Sequence, residues 1–93
     1  MDIKNQILTL LRLYSIGEYE VHTFCEIFME LYYGEKSGHR YFQGNEEKAL
    51  DDLAHIVERY TPYEEDLHDY PNIYVSGKDV KEKFDEIKGC FNI

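Results

Sequence analysis

The chain has no tryptophan, only two prolines and only two cysteines, and its ten basic residues face nineteen acids. Each shortage removes a class of protein. Cys25 and Cys90 stand far apart, so they form neither a zinc motif nor a CxxC redox pair. Two reduced thiols in or near a core are expected, with a disulfide open only if the fold brings them together. No apolar run approaches the length that spans a bilayer. Met1-Asp2-Ile3-Lys4-Asn5-Gln6 has neither the basic region nor the apolar run of a secretory signal, so a cytoplasmic location is expected. Nucleophile elbows, phosphate loops, internal repeats and low-complexity stretches are all missing.

The scarcity of bases leaves a net charge of −9. Phosphate contacts need a cationic face, so no direct nucleic-acid partner is expected, and no anionic membrane surface. An acidic protein steers towards a basic partner, although acidity alone also does no more than keep a protein dissolved. The 93 residues, 43% of them hydrophobic, suit one domain spanning 1–93 with a modest core. Such a core needs neither metal nor cofactor to fold, and none is expected.

Apolar spacing predicts four helices. The first covers about Ile3 to Tyr14, with Ile3, Ile7, Leu10, Leu11 and Tyr14 on one face. Gly17 serves as a turn or N-cap, and a second helix follows from about Glu18 to Tyr33 on Val21, Phe24, Phe28 and Leu31. Gly34 suits its C-terminal cap, and Glu35 to Gly44 reads as a loop. The third helix is expected to start after Asn45 and reach about Tyr60, since Pro62 disfavours helix at Thr61. Thr61 to Val75 is irregular, with room for a helical turn near Tyr63 to Leu67. Asn72 to Val75 could extend but would lack a partner strand. A last helix starts at Ser76, in a capping box closed by Asp79, and carries Val80, Phe84, Ile87 and Phe91. The fold expected is all-α: a small antiparallel four-helix bundle with an irregular, Pro- and Tyr-rich segment before the last helix.

Charge is unevenly spread. Residues 46–69 hold nine acids (Glu46, Glu47, Asp51, Asp52, Glu58, Glu64, Glu65, Asp66, Asp69) against Lys48 and Arg59, whereas residues 70–93 balance four acids with four lysines. On the third helix Asp51, His55 and Glu58 share the face opposite Leu50, Leu53 and Val57. Glu64, Glu65, Asp66 and Asp69 follow without a base among them, next to Tyr63. Tyrosine supplies rigid contact area and carboxylates pair with Arg or Lys. Asp51, His55, Glu58, Tyr63, Glu64, Glu65, Asp66 and Asp69 are therefore the candidate protein-binding residues. The blander reading is a solvated helix face with tyrosines tucked under the loop, and for Tyr60 the core is the better expectation. Nine tyrosines also leave a homodimer open.

An enzyme is the weaker alternative. Asp52-Leu53-Ala54-His55 and Glu65-Asp66-Leu67-His68 are acid-x-x-His pairs of the type found in di-iron bundles, but their acids fall outside the apolar stripes. His22 and His39 are expected at the surface.

The order of features resembles a known family. It comprises Ile16-Gly17-Glu18-Tyr19-Glu20-Val21, an aromatic helix ending Leu31-Tyr32-Tyr33, and Glu46-Glu47-Lys48-Ala49-Leu50-Asp51-Asp52-Leu53. Then come Val57-Glu58-Arg59-Tyr60-Thr61-Pro62-Tyr63-Glu64-Glu65-Asp66-Leu67 and Val80-Lys81-Glu82-Lys83-Phe84. This resembles the colicin D-type bacterial immunity proteins over nearly the whole chain, most strongly at Glu58 to Pro62. The resemblance implies a helical inhibitor that plugs the active site of a cognate tRNA-cleaving toxin domain, its acids standing in for tRNA phosphates. It implies a heterodimer with that basic nuclease, formed in the cytoplasm, in a bacteriocin or contact-dependent inhibition system. Glu58 carries over directly. Thr61 and Tyr63 stand where acids are expected, and Glu64, Glu65 and Asp66 supply the charge instead. His68-Asp69-Tyr70-Pro71 faintly echoes the DNase-colicin immunity proteins, the alternative within the same binding class.

Overall fold

The side chain of Asp2 accepts a hydrogen bond from the Asn5 amide at 2.8 Å and caps the first helix, α1, Ile3–Ser15. Ile3, Ile7, Leu10 and Leu11 recur on one side of it and are buried. In this computed structural model, which describes residues 1–93, Gly17 leaves α1 with φ +85°, a left-handed value that disfavours a Cβ. Gly17 is thus the turn and not the cap of the next helix. That cap is Glu20, and α2, Val21–Tyr33, begins later than the expected Glu18.

Phe24, Cys25, Phe28 and Tyr32 form the buried stripe of α2, and Gly34 terminates it as expected. The stretch read as a loop contains a 3-10 turn at Gly38–Tyr41. It lies so tightly on the core that a Cβ at Gly38 would collide with the Ile7 side chain and the Leu31 carbonyl. This close approach carries Phe42 into the interior, 1% exposed, where Lys4 stands 5.4 Å over its ring. Phe42 is a core residue that helical spacing alone could not reveal.

Helix α3, Gly44–Val57, is preceded by Gln43 and not by Asn45 as its N-cap. Its buried residues are Ala49, Leu50, Leu53, Ala54 and Val57. It stops short of Tyr60 because the chain turns away to pair. The Thr61 amide donates to the Val75 carbonyl at 3.1 Å, and the Val75 amide to the Arg59 carbonyl at 2.9 Å. The result is an isolated parallel bridge between Tyr60 and Val75. The extended residues before the last helix therefore do find a partner, in the tail of α3.

The fourth helix is the short α4, Glu64–Asp69, which buries nothing. Helix α5, Gly77–Ile87, opens with the expected reciprocal box: Ser76 Oγ accepts from the Asp79 amide at 3.3 Å, and Asp79 accepts from the Ser76 amide at 3.0 Å. Val80, Phe84 and Ile87 are its buried face; Phe91, expected on the same helix, lies beyond it in a 3-10 turn, Lys88–Phe91, and is half-buried. The architecture is all-helical with five α-helices. α3 packs chiefly on α5, α1 on α2, and α2 also meets both α3 and α5. No helix is long and apolar enough to cross a membrane.

Both cysteines are free, Cys25 buried and Cys90 exposed. Burial pushes the Cys25 thiol up from 9.0 to about 12. Above pH 9.0 the unfolded chain gives up a proton that the folded chain keeps, so stability falls as pH rises from there towards about 12. A thiol reagent at neutral pH should label Cys90 alone, with Cys25 reacting only in denaturant. In Cys25→Ala, urea midpoints should lose less ground between pH 8.5 and pH 10.5 (both approximate) than in the parent chain. Equal loss in both would show that the Cys25 environment is not the one described.

Candidate functional site

The sequence-predicted site residues divide into those the fold has already engaged and those it leaves free. Asp51 belongs to the first group. Tyr32 is fully buried, and its hydroxyl donates to Asp51 Oδ1 at 2.5 Å, joining α2 to α3. Burial, followed by this bond, raises the Tyr32 phenol well above its usual range. Asp51, a candidate binding residue, is half-buried and satisfies a buried phenol. His39, expected at the surface, is also half-buried. Its Nδ1 lies 2.9 Å from the Tyr32 carbonyl, which can only accept, so Nδ1 must carry the hydrogen.

Asp66 is likewise engaged. Thr61 is 5% exposed, and its hydroxyl donates to Asp66 Oδ2 at 2.8 Å while accepting from the Tyr63 amide at 3.2 Å. The arrangement does for α4 what a capping box does from the N-cap itself, two residues closer to the helix. It secures an amide at the helix entrance and fastens an acid of the first turn. Glu64, Glu65 and Asp66 fill that turn, where the partial positive end of the backbone favours them.

Glu58, Glu64 and Glu65 are exposed, and none has a Lys, Arg or His within ion-pair distance. His55 is exposed in the last turn of α3, just ahead of Glu58. Asp69 is exposed and meets only its neighbour His68, at 3.2 Å. Tyr33 adjoins the α3 acids: burial raises its phenol, and the Asp51 and Glu58 carboxylates raise it further. Tyr33 is 43% exposed, Tyr63 66% and Tyr70 54%, so large ring surfaces face solvent along this acidic stretch. Tyr33 is not among the predicted residues, and Tyr70 is predicted only as one of the tyrosines interleaved with the acids. Their signal was the accumulation of tyrosine itself, which does not separate core rings from surface ones.

The lack of neutralisation has a definite cause. Arg59 is the only Lys or Arg between Lys48 and Lys78. Its Nε donates to the Ile73 carbonyl at 2.8 Å and its Nη2 to the Asn72 carbonyl at 3.0 Å. The guanidinium thus clasps the loop ahead of α5 and forms no ion pair with the acids on either side of it. Glu58 and Thr61 are three residues apart in the chain, so Glu58 lies within about 11 Å of the residue that anchors α4. Of these acids, Glu58 follows the end of α3 directly and Asp66 is held by Thr61, three residues further on.

The acid-x-x-His pairs do not assemble. Asp52 pairs with Lys48 at 3.4 Å, and His55 and His68 are exposed. No three His, Cys, Asp or Glu side chains gather in a way that could hold a metal ion. Asp52 and Glu65 accordingly offer no di-iron ligand set.

No family model, curated protein or solved structure matches the chain.

Replacing Arg59 by alanine should free the loop at Asn72 and Ile73. The Val75 and Thr61 amides should then exchange with deuterium roughly tenfold faster, with a loss of about 1 kcal/mol in urea unfolding. Unchanged exchange at both amides would mean that the clasp does not hold the loop.

Proposed function

We propose that this protein is an immunity-type inhibitor that binds a cognate tRNA-cleaving toxin domain and blocks its active site with carboxylates that take the place of RNA phosphates. The observation that carries this reading is the set of exposed Glu58, Glu64 and Glu65, unpaired beside exposed Tyr33, Tyr63 and Tyr70. A nuclease that grips RNA presents a cationic cleft, and this stretch is complementary to it in sign. The resemblance to colicin D-type immunity proteins, with the antiparallel four-helix arrangement it implies, supports the same reading. So does the net charge of −9, which disfavours direct binding of nucleic acid. The partner is a basic nuclease domain held in a heterodimer in the cytoplasm. The source is a bacteriocin or a contact-dependent inhibition system.

The physical mechanism is occlusion. Long-range attraction accelerates encounter. Tyrosine rings supply contact area at low entropic cost, and carboxylates pair with guanidinium or ammonium groups lining the cleft. Asp51 and Asp66, held by Tyr32 and Thr61, support the surface and are secondary in contact. Exposed Tyr70 ahead of Pro71 favours one second reading, an inhibitor of a DNA-cleaving toxin of the DNase-colicin kind.

Co-expression with tRNA-cleaving and DNA-cleaving toxin domains, including any encoded beside this protein, decides between the targets by which cells survive. Against the right toxin, Glu58, Glu64 and Glu65 changed together to lysine should abolish protection, while circular dichroism and thermal melting show an intact fold. The association rate of the parent pair should fall about tenfold as salt rises from roughly 0.05 M to 0.5 M. A folded triple variant that still protects would remove this surface from the interface.

A further inference from the structure

The acids of α3 and α4 do not line the largest concavity of the molecule. A groove of about 590 Å³ runs between the α1–α2 turn and α5, and Tyr14, Tyr19, Phe84, Lys78, Lys81 and Lys88 are among its lining residues. Volumes of roughly 300–1,000 Å³ are typical of sites for small organic ligands.

The groove has an aromatic wall packed against the core. Tyr14 stacks on Phe24 with centroids 4.0 Å apart and planes 13° from parallel, and meets Phe84 edge-on at 4.8 Å. Gly77 narrows the separation of α5 from α2 at one end: a Cβ there would stand 2.8 Å from Val21 Cγ1. The rim is cationic. Lys88 and Lys81 lie 3.3 Å and 3.6 Å from Asp85, while Lys78 reaches only to 4.0 Å from Glu82. The Lys88 bond, then Lys81, holds the Asp85 carboxyl below its usual range, so it stays ionised and positions both ammonium groups. Three ammonium groups against one carboxylate leave the lining net positive in a chain of net charge −9.

We propose that this groove is a binding site for a small aromatic anion, separate from the acidic surface. A planar ring would lie against Tyr14 and Tyr19, over the nearly buried Phe84. Its carboxylate, sulfonate or phosphate would face Lys78 and Lys81, whose remaining hydrogens are free to donate. The pairing of ring and charge is the selective element. The apolar wall rejects a bare anion, and the lysine rim gives no advantage to a neutral ring.

The test uses the full chain and 8-anilinonaphthalene-1-sulfonate, followed by fluorescence and by amide chemical shifts. One saturable site is expected, with the largest shifts at Tyr14, Tyr19, Lys81 and Phe84. Lys78→Gln with Lys81→Gln, both on exposed positions, should weaken binding at least about tenfold with little change in the melting temperature, because the pairs removed with Glu82 and Asp85 are exposed. A neutral naphthyl alcohol should bind at least about tenfold more weakly than the sulfonate. Parallel titrations with 2-naphthoate and phenyl phosphate identify the preferred head group. Non-saturable binding, equal affinity for the doubly substituted chain, or shifts centred on another face would each overturn the proposal. Toxin protection is read independently, so either inference can fail alone.

Discussion

The rings of Tyr14, Phe24, Phe28 and Tyr32 lie in one continuous stack, with successive centroids 4.0, 5.7 and 5.1 Å apart and near-parallel planes. Three of the four belong to α2, at the four-residue spacing that sets side chains above one another on a helix. The remaining helices are located by what touches this column. Tyr14 brings in α1, Phe84 brings in α5 edge-on to two of the rings, and the Tyr32 hydroxyl fixes α3 through Asp51. In a chain this small, a few large rings supply much of the buried area, and their flat shape allows few alternative packings. The column also explains why a carboxylate is tolerated partly inside: the buried phenol at its end requires an acceptor.

Charge in this protein is organised by scarcity of cations. The α5 lysines are absorbed in short-range pairs along their own helix with Glu82, Asp85 and Glu86. Exposed pairs of this type contribute little to stability, so their arrangement matters more for where positive potential remains than for holding the fold. Arg59, the one base amid the acids, is committed to backbone carbonyls. Guanidinium suits that task because its planar fork reaches two acceptors at once. Its diversion leaves a concentrated negative potential at the α3 terminus, while the groove along α5 retains the opposite sign.

Much of this was legible in the sequence. α1 announces itself through its apolar period and α5 through period and cap, and the capping box at Ser76 and Asp79 forms as read. What escaped was non-local. The start of α2 depends on the left-handed turn at Gly17, and the early end of α3 on pairing with Val75, far along the chain. Phe42 is buried by the tight approach of a 3-10 turn, which leaves no helical period to detect. The acids could be counted but not sorted. Asp51 differs from Glu58 only because Tyr32, nineteen residues earlier, ends beneath it. The engagement of Asp66 had a nearer sign in Thr61, a hydroxyl just ahead of a helix whose third residue is an acid. The groove was invisible because its walls come from opposite ends of the chain.

The six residues of α4 are too few to be helical alone, and none of them is buried. Their shape is borrowed from Thr61, whose hydroxyl accepts from one amide and donates to one carboxylate. A recognition element held this way is already ordered before it meets anything, so little freedom is left to lose on docking. In the complex proposed above, the lifetime of contacts made by Glu64 and Glu65 would be governed in part by a threonine almost wholly hidden from the partner. Evolution or design could tune residence time there without altering a single contact residue.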